Sequence, residues 1–280
     1  MAREIHKIRA EGTAYRITQD YCLDKPAPVP VEDIAMDRGV LCLEANLTGC
    51  LARLVRKGKR GIIRTHRCIR EEGRKRFAIA HEMGHWFLHE TESQIFVCTA
   101  EQMRDYKGSP MEVEANFFAS EFLMPTALFR PLARDVEPRL ERVKSLAGTF
   151  KTSLTATGMK FVDINKHECI LVLSTNKAVA WSKQQGKRSG LRIEKGMRLH
   201  SESLAFHVAE PAGEAGPDIV KPEAWIAHNS YERQIEISEQ SWALDGYNSV
   251  LTMLVVTDVD GADDVDMVRH YEVKNSRCAE

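Results

Sequence analysis

The spacing of apolar positions changes texture several times along the chain. Residues 2–23 alternate charge and hydrophobe at helical spacing, and the rigid segment Lys25-Pro-Ala-Pro-Val-Pro30 ends that helix. Val31–Arg38 predicts a short helix, with Gly39 at the position that favours a left-handed turn. Val40–Leu47, Cys50–Lys57 and Gly61–Ile69 predict strands, the last two joined by a Gly-Lys-Arg hairpin turn. A helix beginning near Glu71 follows, with Phe77, Ala80, Gly84, Phe87 and Leu88 along one side as in a buried core helix. A looser stretch runs to about Pro110, and a second helix continues to Met124.

Residues 126–160 carry Leu128, Leu132, Leu140, Val143, Leu146 and Phe150 at helical spacing, with breaks expected at Pro131 and Pro138. From Glu168 the pattern turns to strands: Cys169–Leu173, Ala178–Ser182, Leu191–Ile193, Leu204–Val208, Gln234–Ile237 and Ser249–Val256. Ala209–Pro222 reads as a loop, and the last residues read as a frayed end. The fold class is therefore α+β: a small sheet with a core helix, a helical connector, and a C-terminal antiparallel α+β domain. The expected division is 1–130, 131–164 and 165–280, with the main boundary near 160–167.

Composition changes this picture little. A hydrophobic content of 43% over 280 residues is enough for two packed cores. The net charge is −1, but eleven Lys and Arg fall within 51–76 and five Asp within 258–266. Such runs usually make solvated surface, and a nucleic-acid patch is the less common use. Seven cysteines without a CxxC pair, no apolar leader and no run near 18 apolar residues predict reduced thiols, a cytoplasmic location and no membrane contact. That setting disfavours a secreted digestive protease.

The chemistry lies in Arg76–His89, which contains His81, Glu82 and His85 as HExxH. Residues four apart on a helix lie about 40° apart and about 6 Å along the axis. Both imidazoles can reach one Zn²⁺, and Glu82 lies beside them, placed to hold a water. The bland reading is a core helix with two satisfied histidines. A third ligand is needed. The position six residues after His85 holds Thr91, and His89 lies about 12 Å along the axis from His81, which makes it a polar helix end rather than a ligand. On the second helix Glu112, Asn116, Ala119 and Leu123 share one narrow face, while Glu114 and Glu121 share another that reads as a solvated acidic stripe. Glu112 is the favoured third ligand, Glu114 the fallback, and Asn116 a partner for a ligand histidine.

RFAIAHEMGHWFLH, followed about 25 residues later by E-x-x-A-N-x-F-A-x-x-F-L-M-P, resembles the ImmA/IrrE family of zinc metallopeptidases. The likeness is close over about 75–125. It implies a zincin-like peptidase domain with zinc on His81, His85 and Glu112, and Glu82 as catalytic base. The family's ligand Glu stands four before the Asn, which again favours Glu112. Family members cleave helix-turn-helix repressors and so switch on mobile-element or DNA-damage genes. Some carry a C-terminal GAF-like sensory domain, which would suit 165–280.

Cys98 lies between the two metal helices, on what is expected to be a loop, and is a candidate inhibitory zinc ligand. As an ordinary residue it would be a small buried hydrophobe. Tyr106 is a bare candidate for stabilising the oxyanion. Residues 140–162 have the texture of a helix-turn-helix, but its second helix offers only Lys160 to a phosphate. His200, His207, His228 and His270 show no metal spacing. Two function classes result. One is a regulatory zinc endopeptidase acting on a repressor, with a nucleic acid as a candidate activating signal at the basic run. The other is a non-proteolytic DNA-binding or ligand-sensing regulator with an inactive HExxH.

Overall fold

The computed structural model describes residues 2–91, 95–99, 102–104, 109–184, 192–208, 213–225, 235–244 and 248–258. Two compact units divide the chain: Met1–Arg134 with Val143–Lys160, and Asp135–Arg142 with Phe161–Glu280.

In the first unit α1 (Ala2–Asp20) packs along α4 (Pro110–Leu123) and buries Ala10, Ala14 and Ile17. After α2 (Val31–Asp37), Gly39 turns the chain at φ +80°. A Cβ there would stand 2.6 Å from the Lys59 carbonyl oxygen, so both conformation and space require glycine. The strands β1 (Val40–Ala45), β2 (Ala52–Lys57), β3 (Arg60–His66) and β4 (Ile95–Cys98) form a sheet in the order β1-β3-β2-β4. β1 runs parallel to β3, and the other pairs are antiparallel, with Leu54 opposite Ile63 on one side and Phe96 on the other.

The core helix α3 (Glu72–Leu88) contacts β2 and β3 and is buried from Ala78 to Trp86. It lies close against α4 because Gly84 meets Ala115. A Cβ on Gly84 would stand 2.9 Å from the Ala115 Cα. The chain continues through α5 (Thr126–Ala133), α6 (Leu140–Phe150) and α7 (Leu154–Ile164). The break expected at Pro131 is absent: α5 runs through it. Pro131 and Ala127 both face outward, where water can take the carbonyl that the missing N–H leaves.

The second unit is an antiparallel sheet of β5 (Cys169–Thr175), β6 (Ala178–Gln184), β7 (Glu214–Val220), β8 (Ile235–Leu244) and β9 (Ser249–Asp258), ordered β6-β5-β9-β8-β7. Its core gathers Ile170, Val172, Trp225, Ile237 and Leu254. The fold is thus mixed α and β with two sheets. Leu204–Val208, expected as a strand, is instead the one-turn helix α8 (Leu204–His207), because the Ser203 hydroxyl accepts the Phe206 N–H and starts a turn. The expected loop Ala209–Pro222 contains β7, while 209–212 lie outside the described residues. Arg192 and Ile193 are not in a strand, and Leu191, Gln234, His228, His270, the frayed end and most of the acidic run 258–266 also lie outside.

Candidate metal centre

His81 and His85 sit one turn apart on α3, fully buried, with their Nε2 atoms 3.2 Å apart. α4 begins at Ser109, whose hydroxyl accepts the Glu112 N–H, with Pro110 in its first turn. The close Gly84–Ala115 contact brings the start of α4 to the histidines. Glu112 Oε2 is 3.2 Å from His81 Nε2, and Oε1 is 3.5 Å from His85 Nε2. β4 adds the Cys98 Sγ, 3.5 Å from His85 Nε2. The donor atoms of His81, His85, Cys98 and Glu112 all lie within 4.8 Å of one another. This is the one such cluster among the described residues. Cys98, expected on a loop, stands on an edge strand that is only four residues long.

The protons in this cluster can be placed by elimination. Asn116 Nδ2 donates to the Gln102 carbonyl at 2.9 Å, so its Oδ1 faces His81 Nδ1, also at 2.9 Å. His81 therefore holds its proton on Nδ1 and presents a bare Nε2. His85 Nδ1 is 2.9 Å from His89 Nδ1, and His89 Nε2 is 2.8 Å from Glu114 Oε2. A carboxylate can only accept, so His89 gives Glu114 its Nε2–H and takes the His85 Nδ1–H on Nδ1. His85 Nε2 is then also bare. Phe96 stacks on the His85 ring at 4.3 Å between centroids. Burial, with His81 and His89 nearby, holds the His85 imidazole far below its ordinary pKa and keeps it neutral.

Two lone-pair nitrogens, a carboxylate and a thiol thus converge with no proton between the nitrogens and the carboxylate. Glu112 Oε2 has no hydrogen-bond partner, nor does either oxygen of Glu82, which is fully buried. Burial pushes the Glu82 carboxyl up to about 8, helped by the Glu112 charge and opposed by the Cys98 thiol and the Leu54 backbone N–H. Unsatisfied buried carboxylate oxygens are costly. A cation at the focus of these donors would relieve the cost, and His, carboxylate and thiolate are the donors a zinc-like ion takes.

One expectation needs correction. Glu114 and Glu121 do share a face of α4, but not a solvated one. Glu114 meets His6 and Arg9 of α1 as well as His89, with Arg9 Nη1 at 3.0 Å from Oε2. Burial raises its pKa, but the hydrogen bonds from His6 and His89 and the Arg9 charge outweigh that and hold it below the ordinary value. Glu121 pairs with the buried Lys160 at 2.7 Å and accepts from Thr126. Lys160 is therefore not offered to a phosphate. His89 is the helix end expected and not a ligand, but a buried one: it caps α3 in the interior, between a candidate ligand and Glu114. Nothing local in the chain announces this, because Glu114 and its α1 partners lie more than 100 residues apart. Tyr106 lies outside the described residues.

The model of the IrrE N-terminal-like domain, a peptidase family, matches residues 35–161. Within these residues the chain carries an ImmA/IrrE-type domain. The matched stretch contains His81, Glu82, His85, Cys98, Glu112, Glu114 and Asn116, whereas α1, whose His6 and Arg9 bind Glu114, precedes it. A solved Mycobacterium tuberculosis transcriptional regulator is similar in fold, with a TM-score of 0.55 at 16% identity over 91% of this chain and 89% of that one. No curated protein matches significantly. In the basic run 51–76, which extends into the first turns of α3, Arg56 and Arg76 are buried. Arg56 lies over the Trp86 ring at 3.7 Å, and Arg76 donates to the Val29 and Lys151 carbonyls. Lys57, Lys59, Arg60, Arg67 and Arg70 are exposed. No helix among the described residues is long and apolar enough to cross a membrane.

Proposed function

We propose that the chain is a zinc-dependent regulatory endopeptidase, working in the cytoplasm, that cleaves a helix-turn-helix transcriptional repressor and so releases stress, DNA-damage or mobile-element genes. The observation that carries this reading is the pair of unpartnered Glu82 oxygens beside a convergent His81, His85 and Glu112. In this reading those three residues hold Zn²⁺, and Asn116 fixes the His81 tautomer. Zinc, when bound, supplies Lewis acidity to a water and to the peptide carbonyl. Glu82 takes the water's proton on a carboxylate oxygen and returns it to the leaving amine. β4 ends its sheet, and an extended substrate segment adding to its outer edge would pass the site.

Residues 1–130 then form the peptidase part, 131–164 a helical connector, and 165–280 a GAF-like sensory part. The exposed bases of 51–76 are the surface on which an activating nucleic acid would act. The experiment is incubation of the zinc-loaded chain with a co-encoded helix-turn-helix regulator, using Glu82→Gln as control. Cleavage by the native chain but not by the variant is the expected result, and equal cleavage by both would refute the assignment. One observation favours a second reading, a non-proteolytic transcription regulator: Cys98 supplies a fourth donor and can make the centre a closed structural one. Bound zinc without cleavage would select it.

A further inference from the structure

Catalytic zinc sites keep one coordination position open, whereas structural sites fill all four with protein atoms. The cluster here has four protein donors on three elements: two from α3, one from α4 and one from β4. Cys98 does not behave as apolar filling. Its sulfur is fully buried yet stands among His85, Glu82 and Glu112, 3.5 Å from His85 Nε2. As a thiolate it needs a cation to take its charge, and the convergent donors are placed to hold one. Its backbone is pinned as well: the Leu51 N–H donates to the Cys98 carbonyl at 3.0 Å, and Ala52 lies opposite Cys98 in the register. The sulfur also lies beside Glu82, the side on which a reacting water must stand to meet the base.

We infer that Cys98 is the fourth ligand of the resting centre, closing it, and that its withdrawal opens the position a water needs. This rests on the zinc reading above. The exchange is balanced as a ligand substitution: the sulfur gives up its bond to the metal and takes a proton from solvent, and water enters the vacated place. No oxidant is required. β4 suits the task because it is four residues long, lies at the edge of the sheet and pairs with β2. A shift of its last residue removes one ligand and leaves the two on α3 and the one on α4 in place.

The test uses the full chain loaded with cobalt(II), which reports thiolate ligation by a charge-transfer band and an open position by its response to acetohydroxamate. The native chain is expected to bind one equivalent, show the thiolate band and give no response to acetohydroxamate. Cys98→Ala and the conservative Cys98→Ser are expected to lose the band, still bind one equivalent, and shift their visible spectrum on adding acetohydroxamate. Zinc affinity in both should fall at least about tenfold. A native chain that binds metal without the band overturns the inference and leaves the zinc reading standing. A native chain that binds no metal sinks the zinc reading itself. If the band is present but both variants bind no metal while keeping the native melting profile, Cys98 is a permanent structural ligand, and the opening is ruled out.

Discussion

Two buried carboxylates, one in each unit, meet the same physics with opposite outcomes. Glu82 and Glu239 are both fully inaccessible, and burial raises the pKa of each. Glu239 is saturated: Oε2 accepts the Trp225 indole N–H at 2.7 Å, and Oε1 accepts the Ala205 N–H at 2.7 Å and the Ser241 hydroxyl at 3.1 Å. Neither oxygen of Glu82 makes a full hydrogen bond, although the Cys98 thiol on β4 and the Leu54 N–H on β2 stand near enough to lower its pKa. A satisfied buried acid ties β8, α8 and a tryptophan into one core. An unsatisfied one is retained against a stability cost, which is the mark of a site awaiting a ligand. Glu114 lies between these cases. It is paired like Glu239, but through His89 its pairing sets the tautomer of a candidate ligand.

This contrast can be broken most directly at Glu82. Glu82→Gln should keep the fold and the metal while lowering repressor cleavage by about 10²–10⁴-fold, the range for losing a general base. Gel-based cleavage assays beside zinc analysis check this. At Glu239 the effect should fall on stability alone. Glu239→Leu leaves the Trp225 and Ala205 N–H groups unpaired in the core, at about 2–4 kcal/mol, read from denaturant unfolding, with zinc affinity unchanged. An intact stability curve would remove the structural half of the comparison.

His89→Leu tests the intermediate case. It should weaken zinc binding about 10–100-fold in chelator competition, by freeing the His85 ring to turn or change tautomer. Glu121→Gln, on the same face of α4 as Glu114 but paired with Lys160, should leave zinc affinity untouched. If both variants weaken zinc alike, the Glu114–His89–His85 chain has no special role. The smallest effect belongs to the exposed hairpin turn. Lys57→Ser with Lys59→Ser should change stability by no more than about 0.5 kcal/mol and leave zinc binding as it was.

What was legible in the chain was local. His81 and His85 share a face because four residues make about one turn, and that holds wherever the helix lies. Projection likewise separates Glu112 from Glu114 on α4. What was misread depended on neighbours. Ile95–Cys98 is too short to announce a strand and exists because β2 pairs with it. Leu204–Val208 has strand-like composition, but one serine cap makes it a helical turn. The acidic stripe of Glu114 and Glu121 looked solvated because nothing near it in sequence said that α1 and Lys160 would cover it.

The sequence by itself determined the HExxH helix, the strands β1, β2, β3, β5, β6 and β9, and the face from which Glu112 projects, since each follows from a local pattern within a dozen residues. Only the tertiary structure decided that Cys98 joins the cluster, that Glu82 has no partner, and that His6, Arg9 and Glu114 act on His85 through His89. Those facts rest on contacts across as many as 108 residues of chain, and on a glycine whose missing Cβ lets two helices touch. Periodicity carries no information about which distant face will arrive; packing sets that.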